Sequence, residues 1–167
     1  QVTDTEKEEP AVEATAVDPM KITFFKLGNA DSILFEIGDS TMLIDAGEDG
    51  DGSKVSAVLK DRLINKIDYM IITHFDKDHV GGAARIIQKV EVDNILAPDY
   101  LSDSEEYKAY AEAMAEKGIS PVNLTKVFEF SLNDASIKII PPSAVDSSDD
   151  NNSSLMIELE YGGKRFL

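Results

Sequence analysis

In His74-Phe75-Asp76-Lys77-Asp78-His79 four side chains of metal-ligand type fall within six residues. Imidazole nitrogen and carboxylate oxygen together suit zinc, iron or manganese. A divalent cation held by such a set makes hydroxide from water near neutral pH, which is the chemistry of a metal-dependent hydrolase. Alternate residues of an extended segment point the same way, so His74, Asp76 and Asp78 can converge while His79 turns in from a helix start. The plainer alternative is a polar loop whose histidines only hydrogen-bond. A lone histidine would favour that alternative; four ligand types at this spacing speak against it. Val80-Gly81-Gly82 follows, and the two glycines let the backbone turn sharply and pack closely beneath the loop.

The elements around the cluster are those of an α/β protein. Tyr69-Met70-Ile71-Ile72-Thr73 is a near-continuous apolar run, as expected of a buried strand, and it delivers the chain into His74. A helix is expected over Val80–Lys89, directly after the motif. Upstream, Ile22–Phe25, Ile33–Ile37 and Thr41–Ile44 read as strands, the last two joined by a Gly38-Asp39-Ser40 turn. Asp45–Gly52 is a Gly/Asp loop, and Val55, Val58, Leu59 and Leu63 mark a helix over Ser53–Asn65. Val92–Leu96 is the next strand. Ser102-x-x-Glu105 has the pattern of a capping box for a helix that carries Tyr107, Tyr110, Ala111 and Met114 and ends at Gly118. Strands follow near 127–130, 136–140 and 154–160, and Gly162-Gly163 turns the chain into one more beginning at Lys164. A strand meander that gives way to alternation with helices predicts a mixed sheet with helices packed on its outer face.

Composition narrows the functions. The 167 residues carry 32 Asp+Glu against 16 Lys+Arg, a net charge of −16, which opposes passive binding to polyanions. It does not oppose a nuclease, since a bound cation supplies positive charge locally. With no cysteine there are no disulfides, thiolate ligands or Cys nucleophiles. No apolar run is long enough to span a bilayer as a helix. Residues 1–20 hold Asp4, Glu6, Glu8, Glu9, Glu13 and Asp18 with Pro10 and Pro19, and are expected to be a disordered acidic tail ahead of a domain over 21–167. Such a tail suits a spacer in an exported protein, so an extracellular or cell-surface location is expected, with a cytoplasmic one left open. Asp49-x-Asp51-x-Ser53 lacks the glycine and glutamate that a calcium loop needs at its sixth and twelfth positions.

Thr73-His74-x-Asp76-x-Asp78-His79-x-Gly81-Gly82 resembles the His-x-His-x-Asp-His signature of the metallo-β-lactamase superfamily, with Asp76 in place of the second His. Leu27–Leu34, Leu43-Ile44-Asp45-Ala46-Gly47 and Asn151–Leu155 resemble further segments of that family in the expected order. With the Asp substitution included, the set is most similar to the hydrolase domain of bacterial DNA-uptake (competence) channels. The resemblance covers about residues 21–167. It implies an αβ/βα sandwich of two halves, of which this chain carries the N-terminal one, and a one- or two-ion site at its edge.

By motif position the resemblance implies that His74 and Asp76 ligate a first cation and Asp78 and His79 a second. Asp78 would also serve as a base toward the attacking water, and Asp45 would orient ligands from behind. Zinc or manganese is implied, and the carboxylate of Asp76 moves the first position toward manganese. The substrate expected is a phosphodiester, nucleic acid or other ester; the alternative is a non-catalytic binding module with a degenerate metal site.

The chain has only two histidines, both in the motif, so the family's later His ligands and bridging Asp have no counterpart here. The Asp146–Asn152 loop reads first as a solvated acidic turn and second as a source of Asp149 or Asp150 as an oxygen ligand. The apolar Phe166-Leu167 end leads to the expectation that the domain continues beyond it. Expected of the chain by itself are one weakly held ion at most, little turnover, and pairing of two copies through the face that the missing half would cover.

Overall fold

The computed structural model describes residues 19–146 and 149–167. The expected acidic tail therefore lies outside the described residues, apart from Pro19 and Met20; Met20 packs against the core rather than trailing free of it.

Among the described residues ten strands and four α-helices follow one another in the order expected of a strand meander leading into βα alternation. Strands β1 (Lys21–Phe24), β2 (Ile33–Ile37) and β3 (Ser40–Ile44) form the meander. Helix α1 (Asp51–Asp61) then leads to β4 (Lys66–Ile71), the short α2 (Lys77–Val80) and α3 (Ala83–Lys89). After β5 (Glu91–Pro98) come α4 (Glu105–Lys117), β6 (Val122–Leu124), β7 (Phe128–Leu132), β8 (Ala135–Ile140), β9 (Met156–Tyr161) and β10 (Lys164–Phe166).

The first six strands make one mixed sheet in sequence order, antiparallel from β1 to β3 and parallel from β3 to β6. The last four make a second, antiparallel sheet in the order β10-β9-β8-β7. Strand side chains alternate between faces, and in the first sheet both faces are buried. Leu43, Met70, Ile95 and Ala97 enter a core with Val55 and Leu59 of α1, Ile86 and Ile87 of α3, and Tyr110 and Met114 of α4. Met42, Ile44, Ile71 and Leu96 enter another, shared with Leu132, Ile137, Ile139, Leu155 and Leu159 of the second sheet and its approach. That is why the second half of β4, toward the motif, loses the polar alternation with which the strand begins at Lys66 and Asp68: Met70 and Ile71 are buried on opposite faces.

The helices sit on one face of the sheet, as the sequence predicts, and the opposite face is covered by the chain's own second sheet. At one open edge Ile22 and the exposed Phe24 of β1 line a recess together with Phe166 and Leu167.

Several boundaries differ from expectation. The helix expected over Val80–Lys89 is two pieces broken at Gly81-Gly82. The cap of α4 is Ser104, whose side chain accepts from the Tyr107 N–H, rather than Ser102. Starting there puts Glu105 and Glu106 in the first turn, where the helix dipole favours negative charge. Gly118 ends the same helix in the left-handed region at φ 68°, the conformation that only glycine adopts without strain. Among the described residues no helix is long and apolar enough to cross a membrane.

Candidate metal centre

The site lies where β3 and β4 end. Asp45 follows β3 and takes a left-handed backbone, φ 56°, which an Asp tolerates better than most residues. Its N–H donates to Ile71 O at 2.8 Å, and its own carbonyl accepts from the Ser32 hydroxyl at 2.9 Å. Held this way, the buried carboxylate points at the motif. Oδ1 accepts the Thr73 N–H at 2.8 Å, and Oδ2 accepts the Thr73 hydroxyl at 2.7 Å. Oδ2 also lies 2.8 Å from His79 Nδ1.

One carboxylate thereby assigns both imidazole tautomers. His79 Nδ1 carries its proton toward Asp45, so its Nε2 is left with a lone pair. The Thr73 hydroxyl spends its proton on Asp45 and is free to accept from His74 Nδ1, 3.0 Å away. His74 Nε2 is then also a bare acceptor. It is buried and has no hydrogen-bond partner, which is costly for a polar atom unless something else meets it. A cation ligand role fits that atom. His74 and His79 lie with ring centroids 3.9 Å apart.

The carboxylates surround the two rings unevenly. Asp76 Oδ2 is 3.5 Å from His74 Nε2, while Asp78 Oδ2 and Asp31 Oδ2 are 3.8 and 3.9 Å from His79 Nε2. The motif thus resolves into a His74–Asp76 pair and a His79–Asp78–Asp31 cluster. Among the described residues no set of three or more such side chains is gathered tightly enough to cage one ion. Burial, helped by the neighbouring His79, lowers the His74 pKa below the ordinary imidazole value. For His79 burial acts the same way but is outweighed by the Asp45 hydrogen bond and charge, with Asp78 and Asp31 adding to them, so its pKa rises. Two adjacent rings are therefore biased in opposite directions.

The loop is held from below and from the side. A Cβ built on Gly82 would lie 2.1 Å from Ala46 O and 2.8 Å from Gly52 N, so no larger residue fits there. The backbone is stitched at the same place, Ala46 N–H to His79 O at 2.8 Å and Gly82 N–H to Gly47 O at 2.9 Å. Phe75 points away from the site into a ring cluster with Tyr100 and Tyr107, at centroid distances of 4.8 and 4.6 Å. Its N–H donates to the Tyr100 hydroxyl at 2.9 Å.

From the second sheet, the 3-10 turn Asp150–Ser153 reaches across to the motif. Asn151 Nδ2 donates to Asp76 Oδ2 at 3.0 Å. Asp149 caps this turn by accepting the Asn151 N–H, and the Asp150 carboxylate faces the Tyr100 hydroxyl.

Asp31, Thr73, Tyr100 and Asn151 were not among the residues singled out from sequence as ligands or orienters. Thr73 could have been found, as the last residue of the buried run; Asp31 and Asn151 fall in segments quoted for the family resemblance, which carry no local sign of a contact with the motif.

The family model for the metallo-beta-lactamase superfamily matches residues 26–167. ComE operon protein 3 of Bacillus subtilis (strain 168) is 28% identical over 105 residues, which are 62% of this chain and 13% of that protein. Among solved structures, the metallo-beta-lactamase fold protein YhfI from Bacillus subtilis superposes with a TM-score of 0.59 at 17% identity, covering 89% of this chain and 61% of that one. A Cronobacter sakazakii metallo-beta-lactamase with a HARLDQ motif gives 0.55 at 20% identity, covering 81% and 54%. The chain thus spans little more than half the length of these structural relatives.

Proposed function

The chain belongs to the metallo-beta-lactamase superfamily, a family of metal-dependent hydrolases, and on that premise we propose that it carries one side of a hydrolytic metal centre acting on phosphodiesters. The observation that carries this reading is the buried, unpartnered Nε2 of His74 beside Asp76, next to a second imidazole whose Nε2 faces Asp78 and Asp31. His74 and Asp76 would hold one cation, His79 and Asp78 another. The carboxylate of Asp76 favours manganese over zinc at the first position. A cation there supplies Lewis acidity and a lowered pKa for water.

The chain's own residues do the rest. In the neutral rings Asp45 holds the protons on Nδ1, directly for His79 and through Thr73 for His74, which leaves both Nε2 atoms as the ligating nitrogens, and such orienting partners matter nearly as much as the ligands. Asp78 accepts the proton of the attacking water at its carboxylate. A phosphodiester substrate is favoured by the resemblance of the motif set to DNA-uptake hydrolase domains, together with the identity to ComE operon protein 3. The acidic, proline-containing segment 1–20 supports an exported protein with that segment as a spacer.

The intact protein, with both halves of the domain, should hydrolyse a phosphodiester reporter in manganese, and lose that activity with chelator or in His74→Ala. Absence of hydrolysis of both phosphodiester and carboxylic-ester reporters, in manganese and in zinc, would overturn the enzymatic reading.

A second reading, a non-catalytic module, is favoured by the lack of a three-ligand cage among the described residues. Metal analysis separates the two: a tight stoichiometric ion supports the enzyme, and an empty site in the full-length protein supports the module.

A further inference from the structure

The turn Asp150–Ser153 belongs to the approach of β9 in the second sheet, yet its one side chain that reaches the motif is neutral. We propose that Asn151 is a positioning residue that sets the carboxylate of Asp76 for cation binding. This rests on the reading of His74 and Asp76 as ligands.

Three observations carry it. First, the amide of Asn151 donates to Asp76 Oδ2, the same oxygen that lies 3.5 Å from His74 Nε2. The contact therefore fixes the oxygen nearest the unpartnered imidazole nitrogen. Second, the turn is anchored on both sides of Asn151. The Asp150 carboxylate faces the Tyr100 hydroxyl, which takes the Phe75 N–H one residue before Asp76. Leu155, buried in the second core, donates its N–H to Thr73 O at 2.9 Å. Ser153 is fully buried, and its hydroxyl accepts the Asp146 N–H at 2.8 Å. Asn151 is thus presented to Asp76 by a fixed backbone. Third, residue type matters. Asp76 has a side chain 40% exposed on a loop, free to sample rotamers unless something holds it. A lysine at 151 would neutralise the carboxylate and compete with a cation, and an aspartate would repel it. An amide N–H orients the carboxylate and leaves its charge in place.

An exposed hydrogen bond adds little to stability, so the effect of removing it belongs on the cation rather than on the fold. Orienting partners of ligands typically contribute ten- to a hundred-fold in metal affinity. The test is calorimetric titration of the full chain with manganese, for the wild type, Asn151→Ala, Asp76→Ala and the double variant, with thermal melts of the cation-free proteins alongside. Asn151→Ala should weaken binding about ten-fold with an unchanged melting temperature. In the Asp76→Ala background the same substitution should change affinity less than about two-fold, because its target is gone. Wild-type affinity in Asn151→Ala, or an equal loss in both backgrounds, overturns the inference and leaves the metal-centre reading standing. A wild type that binds neither manganese nor zinc overturns the metal-centre reading and this inference with it.

Discussion

Asp45 Oδ2 and His79 Nδ1 lie 2.8 Å apart, and the same oxygen takes the Thr73 hydroxyl that in turn faces His74 Nδ1. The exchange Asp45→Asn isolates this relationship. Asparagine has the same shape and tolerates the left-handed backbone, so the fold around it need not change. Its NH₂ group, however, cannot accept. With its oxygen kept on the Thr73 N–H, the amide meets two donors, and His79 must move its proton to Nε2. We expect a stability loss of about 1–3 kcal/mol from the broken buried network and a drop in manganese affinity of roughly ten- to a hundred-fold. Urea denaturation and calorimetry check the two numbers separately. An unchanged midpoint with unchanged affinity would contradict the tautomer assignment.

Gly82 is where the motif helix and the Asp45 turn touch backbone to backbone. In Gly82→Ala the new methyl would meet Ala46 O and Gly52 N, neither of which is a flexible side-chain end. The expected cost is about 3 kcal/mol, at the upper end for overpacking. Because the φ of Gly82 is −78°, the cost is steric and not conformational. A denaturation midpoint within error of the wild type would show that the two loops are not in contact.

Tyr100 and Tyr110 predict opposite outcomes for the same substitution. The Tyr100 hydroxyl accepts the Phe75 N–H at 2.9 Å, so Tyr100→Phe should cost about 1–2 kcal/mol by stranding that N–H. The Tyr110 hydroxyl is buried with no hydrogen-bond partner, so Tyr110→Phe should be neutral or stabilising by up to about 1 kcal/mol. Both keep the ring in the aromatic cluster. Thermal melts should therefore rank Tyr110→Phe at or above wild type and Tyr100→Phe below it. The reverse order would sink both assignments of partners.

What was legible in the sequence was whatever depends on neighbours along the chain. The apolar run Tyr69–Thr73 announces a strand buried on both faces. Asp45-Ala46-Gly47 announces a turn, and the motif its own ligands. The capping error shows the limit of local rules, since Ser102 and Ser104 are both competent caps and packing of Tyr110 and Met114 onto the sheet settles between them. β6, three residues at a sheet edge, has no length in which to show a period. The residues that complete the site were hidden for a different reason. Asp31 and Asn151 lie in segments that resemble the family, but they approach the motif only after the sheets are assembled, and no local pattern marks their side chains as its partners.

The Asn151–Asp76 contact spans 75 positions of chain and the His79–Asp45 contact 34. Contacts of long sequence separation close late, since the ordering they require must be met before they form. A nascent chain that has emerged through α3 already holds Asp45 and all four motif residues, with no second sheet to hold Asp76. Pulsed hydrogen exchange should show the Asp45 amide, bonded to Ile71, protected before the Leu155 amide, bonded to Thr73; simultaneous protection would contradict this order. On the proposed reading, full cation affinity is then reached only at the end of folding, once the two sheets have met.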